Sequence, residues 1–256
     1  MLSWRCLLAG WGAVAYGAPA IPSAINSQMA SPLAYEQPSL NKAWEGLLLH
    51  VPTIVVIWLV SVVLSVVGFG VSLLISVIGA AIAGQGASSD AVAGGIALLS
   101  QLGQLPFGIL ASLVGVLFVA VPAMYYASGE TITASAAFQS LMRRPWRYFL
   151  AGLLFSVVTA IGFILCILPG IAVSLVAPVF VNLVFNTDRS IGEAFSASFQ
   201  AVYRSPQGFT FIGIQILAWI VVVLFSVCTC GVGALVAVPM ANFYIQNAAY
   251  HRGVIS

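Results

Sequence analysis

Charge is what this sequence has least of. Eight basic and six acidic residues make up 5% of 256 positions, while the apolar share is 61%. Soluble domains carry about 25% charged residues, because water must solvate their surface. So few charges cannot coat a water-soluble fold, and a lipid bilayer is the solvent that accepts the remainder. No basic residue falls between Lys42 and Arg143, where the acidic residues are Glu45, Asp90 and Glu130. The stretches from Arg147 to Asp188 and from Arg204 to Arg252 carry no charge between their ends. Each is about twice the roughly 20 residues that one helical span requires, so each is predicted to hold two helices joined by a tight turn.

Catalytic vocabulary is equally sparse. The two histidines, His50 and His251, lie far apart, and no HExxH, paired-carboxylate or Gly-rich phosphate loop is present. Both histidines read as tolerated polar groups at a membrane interface. No ionisable residue falls in the middle of a predicted span, which argues against proton relays and charged-substrate paths. A net charge of +2 gives no footprint for nucleic acid. Neither a cofactor nor a metal is expected.

What is present is a repeat. Ala136, Phe138, Gln139, Arg143 and Pro145 recur 61 positions later as Ala197, Phe199, Gln200, Arg204 and Pro206. The register continues from Gly152 to Gly213, Gly170 to Gly231, Pro178 to Pro239 and Asn186 to Asn247. Each copy begins with a short amphipathic helix, Ile132–Arg144 or Ile191–Arg204. In the later copy Ile191, Phe195, Phe199 and Val202 form the apolar stripe, and Ser190 with Glu193 fits a capping box. Spans are predicted at Tyr148–Leu168 and Ile171–Thr187, turning at Pro169-Gly170, and from Gly208 to Cys228 and back to Tyr250, turning at Cys230–Gly233. A degenerate first copy starts with a stripe of Leu40, Ala43, Trp44, Leu47 and Leu48 before Pro52. It continues as an apolar run from Val51 to Ala83, bent at Gly68-Phe69-Gly70, an insertion at Gly84–Gln104, and a span at Leu105–Ala127. The predicted fold is thus an all-α polytopic membrane helical bundle of about six transmembrane helices, in repeats near 39–127, 131–187 and 190–250.

Residues 1–38 read as a flexible segment. Arg5, the apolar run Cys6–Ala15 and Ala18-Pro19-Ala20 imitate a secretory signal. A translation start at Met29 and a plain disordered tail are equal alternatives.

Lys42, Arg143, Arg144, Arg147, Arg189, Arg204 and Arg252 all fall on one side of the predicted topology, and the hairpin turns carry neither Lys nor Arg. The positive-inside rule then places both termini and the connectors in the cytoplasm, with the chain in the inner (cytoplasmic) membrane. Arg143, Arg144, Arg147 and Arg204 are candidate contacts for anionic lipid. Asn182, Asn186, Asn242, Gln246 and Asn247 gather toward the cytoplasmic ends of the fourth and sixth spans. They serve either as helix–helix hydrogen bonds or as a polar pocket for a headgroup or small solute. Cys166, Cys228 and Cys230 fall at equivalent outer turns, where they form a disulfide between two hairpins or remain buried thiols that pack as small apolar groups.

Leu168-Pro169-Gly170, Arg189-Ser190-x-x-Glu193-Ala194-Phe195-x-x-Ser198, Cys230-Gly231-Val232-Gly233 and Val238-Pro239 together resemble a family. It comprises bacterial six-span membrane proteins of unknown function, related to the membrane domain attached to some glycerophosphodiester phosphodiesterases. The resemblance covers about Ser128–Gly253. The phosphodiesterase active site belongs to a separate soluble domain, so no catalytic residue is expected to carry over. The expectation for function is a non-enzymatic structural, lipid-organising or accessory membrane protein, with lipids and another membrane protein as partners. The alternative is a transporter or permease for an uncharged or lipid-like molecule.

Overall fold

A computed structural model describes residues 30–83 and 90–255. Ten α-helices and one 3-10 turn account for most of them, and no strand occurs among the described residues. In a bilayer the backbone must satisfy its own polar groups, and a chain this apolar does so as helices.

The first hairpin pairs α1 (Leu40–Ala83) with α2 (Asp90–Gly115), which continues after a break at Val116 as α3 (Leu117–Ser128). One expectation about α1 fails. Pro52 does not end a separate amphipathic helix, since α1 runs through it for 44 residues. Surrounding apolar helix holds the backbone in register although the proline lacks an N–H, as happens in membrane helices. α1 also continues without a break through Gly68. A side chain there would meet Phe107 Cβ at 2.8 Å, so Gly68 is a point of close approach between antiparallel helices. Gly79 against Ile96 and Gly103 against Ile75 repeat that contact farther out. Ser76 and Ser100 join hydroxyl to hydroxyl across the seam at 2.8 Å. The returning helix starts at Asp90 rather than Leu105, which makes this hairpin much longer than the other two. Most of the expected turn, residues 84–89, lies outside the described residues.

The second hairpin is preceded by α4 (Ala134–Arg143), whose first turn is capped by Thr133 Oγ1 accepting from the Ala136 N–H at 3.2 Å. α5 (Pro145–Leu165) starts on proline, where the missing N–H costs nothing. The turn is at Cys166, in extended backbone (φ −172°, ψ 154°), and not at Pro169-Gly170. Those two residues lie in the first turn of α6 (Ile167–Ser174), which tolerates proline because its N–H groups have no helical partner. Gly162 and Gly170 let α5 and α6 touch backbone to backbone, for a Cβ on Gly162 would come 3.0 Å from Gly170 Cα. α7 (Ala177–Asn186) completes the return.

The third hairpin follows α8 (Ile191–Tyr203). Its capping box is formed: the Glu193 N–H donates to Ser190 Oγ at 3.3 Å, and the Ser190 N–H donates to Glu193 Oε2 at 3.0 Å. α9 spans Gly208–Cys228 as predicted. The turn places Cys230 (φ 52°) and Gly231 (φ 89°) in the left-handed region before α10 (Ala234–His251).

Five helical stretches are long and apolar enough to cross a membrane: Leu40–Ile82, Val92–Ser128, Pro145–Leu165, Ile167–Asn186 and Gly208–Cys228. α10, read from sequence as the sixth span, has 18 residues but does not meet the same measure of apolarity. Asn242, Gln246, Asn247 and His251 lower it, and all but Asn242 hydrogen-bond to other elements.

The core lies at the end of the bundle where α4 and α8 sit, with Phe243, Phe211, Ile57, Leu117 and Val179 buried there. Away from it, large apolar side chains face outward, among them Val77, Ile82, Leu98 and Ile164. That is an inside-out arrangement in water and an ordinary one in lipid. Residues 30–38, expected within the flexible segment, pack against the core. The Ser31 hydroxyl donates to Tyr126 O at 2.8 Å, and Ala34 is fully buried in the turn Pro32–Tyr35. Residues 1–29, with the signal-like stretch and Met29, lie outside the described residues.

Candidate functional site

At the core end, α7 and α10 face each other through amides. Asn182 Nδ2 donates to Gln246 Oε1 at 3.0 Å and to the Tyr250 hydroxyl at 3.1 Å. The Tyr250 hydroxyl in turn donates to Asn182 Oδ1 at 3.3 Å. Asn186 Nδ2 donates to that same oxygen at 3.3 Å and to Ala123 O of α3 at 3.1 Å. Gln246 Nε2 donates to Pro178 O at 2.9 Å. Asn247 Nδ2 turns the other way, to Ala34 O at 3.0 Å and Glu36 O at 3.3 Å, and so pins the N-terminal turn onto α10. The layer ties α3, α7, α10 and residues 34–36 into one unit. Four of the five predicted amides take part. Asn242 does not: it is half-buried beside a cavity of about 30 Å³ lined by Trp219, Val222 and Ile245, with no hydrogen bond to another described residue. The amides are therefore joined to one another and to backbone rather than arranged around a common cavity.

The sequence reading does not single out Thr53 and Gln215, and it places His50 differently. His50 is fully buried rather than interfacial. Its Nε2 accepts from the Ile132 N–H at 3.0 Å, which leaves Nδ1 to carry the proton and donate to Gly46 O at 2.7 Å. Thr53 Oγ1 donates to Ile132 O at 2.8 Å, so α1 holds both polar groups of the residue that leads into α4. Gln215, also buried, donates to Leu175 O at 3.0 Å, at the interruption between α6 and α7. A signal for His50 did exist. Ala43, Leu47, His50, Ile54 and Ile57 alternate at spacings of four and three, and all are buried, whereas Leu40, Trp44 and Leu48 of the expected stripe face outward.

The arginines divide. Arg147 Nη2 donates to Thr187 O at 2.7 Å and Val184 O at 3.3 Å, closing the carbonyl end of α7 as a cation there should. Arg144 pairs with Asp188 at 2.6 Å, and that guanidinium draws the exposed Asp188 carboxyl below its ordinary range. Arg143 borders an open groove with Gln139, Ser140 and Met142, and Arg204 is exposed at the end of α8. Neither of these two makes an ion pair with a described residue. The four candidate lipid contacts thus separate into two that bind the fold and two left outward-facing.

Cys166, Cys228 and Cys230 are free thiols and are exposed, not buried. Each lies at or beside a hairpin turn, where little else packs, and no disulfide joins them. No group of His, Cys, Asp and Glu among the described residues could hold a metal ion.

No family model, curated protein or solved structure matches this chain, and none of these comparisons links it to the phosphodiesterase membrane domain.

Proposed function

We propose that this chain acts in the inner membrane without catalysis, as a lipid-organising or accessory protein, with the connectors α4 and α8 and both termini on the cytoplasmic side. The observation that carries this reading is the division of polar groups at one end of the bundle. The inward amides close on each other and on backbone, while Arg143 and Arg204 stand at the rim with no protein partner among the described residues. Phosphate and other anionic headgroups supply the charge such arginines lack, at about 1 kcal/mol per basic residue. The recurrence of a short helix followed by a hairpin in the second and third copies supports descent from a repeat, although the first hairpin has no separate short helix before it.

Orientation and lipid contact are tested separately. Reporter fusions after Gly170 and Gly231 should read as outside, and fusions after Arg144 and Arg204 as inside. A periplasmic signal at Arg204 overturns the topology. For the contact, Arg143→Gln with Arg204→Gln should weaken retention of phosphatidylglycerol by about 30-fold, the two-residue equivalent of that energy. Native mass spectrometry in mild detergent reads this directly. Unchanged retention removes the rim arginines from the proposal, and solute flux through reconstituted protein would favour a permease instead.

A further inference from the structure

We infer that the cavity between the start of α1 and the end of α3 is a binding site for the ethanolamine headgroup of an aminophospholipid. The inference rests on the lipid-organising reading and names a lipid class for it. The cavity holds about 110 Å³. One water takes about 30 Å³ of liquid, so the space suits a group of a few heavy atoms, such as an ammonium with its two methylenes.

Its walls carry the charges of a zwitterion's complement. Lys42 Nζ pairs with Glu36 Oε2 at 2.5 Å, and both line the cavity. Glu45, one turn on from Lys42, lines it as well and has no ion pair with a described residue. Two carboxylates against one ammonium leave one negative charge in excess, which an incoming primary ammonium neutralises. Lys42 uses one of its three N–H groups on Glu36 and keeps others for the lipid phosphate.

Two tyrosines complete the site. Tyr125 and Tyr126 are 8% and 2% exposed, and both line the cavity. Their ring centroids lie 5.1 Å apart with planes inclined at 59°, so the two faces make a corner. Neither phenol hydroxyl hydrogen-bonds to another described residue, and both oxygens keep accessible surface, so each is open to a partner that enters the cavity. An ammonium in the cavity can donate to the phenol oxygens and is attracted by the part of each ring that lines it. A quaternary ammonium has no N–H to donate, so carboxylate and phenol acceptors favour ethanolamine over choline. Leu33 and Leu49 supply an apolar rim, and Leu49 and the neighbouring Trp44 face outward, where acyl chains and the interface would lie. The site touches the amide layer through Glu36, whose backbone carbonyl accepts from Asn247, and none of the rim arginines lines it.

The test is native mass spectrometry of the full chain in mild detergent, with phosphatidylethanolamine, phosphatidylcholine or phosphatidylglycerol added in turn. Wild type should hold the ethanolamine lipid about tenfold more tightly than the choline lipid, the difference expected of one charge-assisted hydrogen bond. Glu45→Gln, at an exposed position that the fold does not depend on, should remove that preference. Tyr126→Phe keeps the ring and should remove part of it. Free ethanolamine at equal concentration should not displace the lipid. Equal retention of the two zwitterionic lipids, or an unchanged preference in Glu45→Gln, overturns the inference. So does displacement by free ethanolamine, which would make the ligand a soluble amine. If phosphatidylglycerol retention persists while the ethanolamine preference is absent, the cavity assignment fails and the lipid-organising reading stands; if no lipid is retained, both fall.

Discussion

Asn182→Leu should destabilise the folded bundle by about 2–3 kcal/mol, read as a shifted midpoint of unfolding in mixed detergent by tryptophan fluorescence. Asn182 is the centre of the amide layer. Replacing it leaves Gln246 Oε1 without its donor, strands the Tyr250 hydroxyl, and removes one of the two acceptors of Asn186. Each broken interhelical bond contributes about 0.6–2 kcal/mol, and a buried group left unpaired adds its desolvation. Asn242→Leu is the matched control on α10. That amide has no partner among the described residues and sits against Trp219 and Val222, so an apolar side chain should cost less than about 0.5 kcal/mol there. Equal losses in the two variants would show that the layer contributes nothing beyond side-chain volume.

Gly208→Ala and Gly213→Ala should move stability in opposite directions although they lie in the same helix. A Cβ on Gly208 would run into the Val202 carbonyl oxygen, and backbone cannot swing aside as a side chain can. The helix start must shift, at about 1–3 kcal/mol or with loss of the α8–α9 junction altogether. A Cβ on Gly213 meets nothing within 4 Å, so the gain in helix propensity, up to about 1 kcal/mol, should survive. Expression level and the unfolding midpoint of both variants check this, and a stable Gly208→Ala protein would mean that α8 and α9 join differently.

The sequence was most readable where one local rule had no competitor. α9 starts and ends where predicted because Pro206 and the Cys230–Gly233 turn bracket an uninterrupted apolar run. The Ser190–Glu193 capping box involves four residues and no tertiary context. The errors came where proline was read as a stop. Pro52 lies inside α1, where apolar surroundings favour continuing the backbone's hydrogen bonds, and Pro169 lies in the first turn of α6, where a missing N–H breaks no helical bond. Of the candidate site, the amides were visible as polar residues in apolar helices, but their partners were not. Asn182 and Gln246 stand 64 positions apart, and which of them meet depends on how the hairpins pack. His50 was placed at the interface for a related reason: its role is to hold Ile132, 82 residues away.

The unequal hairpins have a mechanical consequence. At 1.5 Å per residue the apolar part of α1 from Val51 to Ala83 is about 50 Å long, whereas α5 and α9, each of 21 residues, are about 32 Å. A hydrocarbon core is about 30 Å thick, so two flanks of the bundle match it and the third does not. Either the first hairpin reclines steeply or the lipid beside it stretches, and each ångström of mismatch costs a fraction of a kcal/mol. The protein therefore meets its surroundings with two different heights at once. A uniform bilayer cannot relax against both, and the strain is least where membrane thickness itself changes.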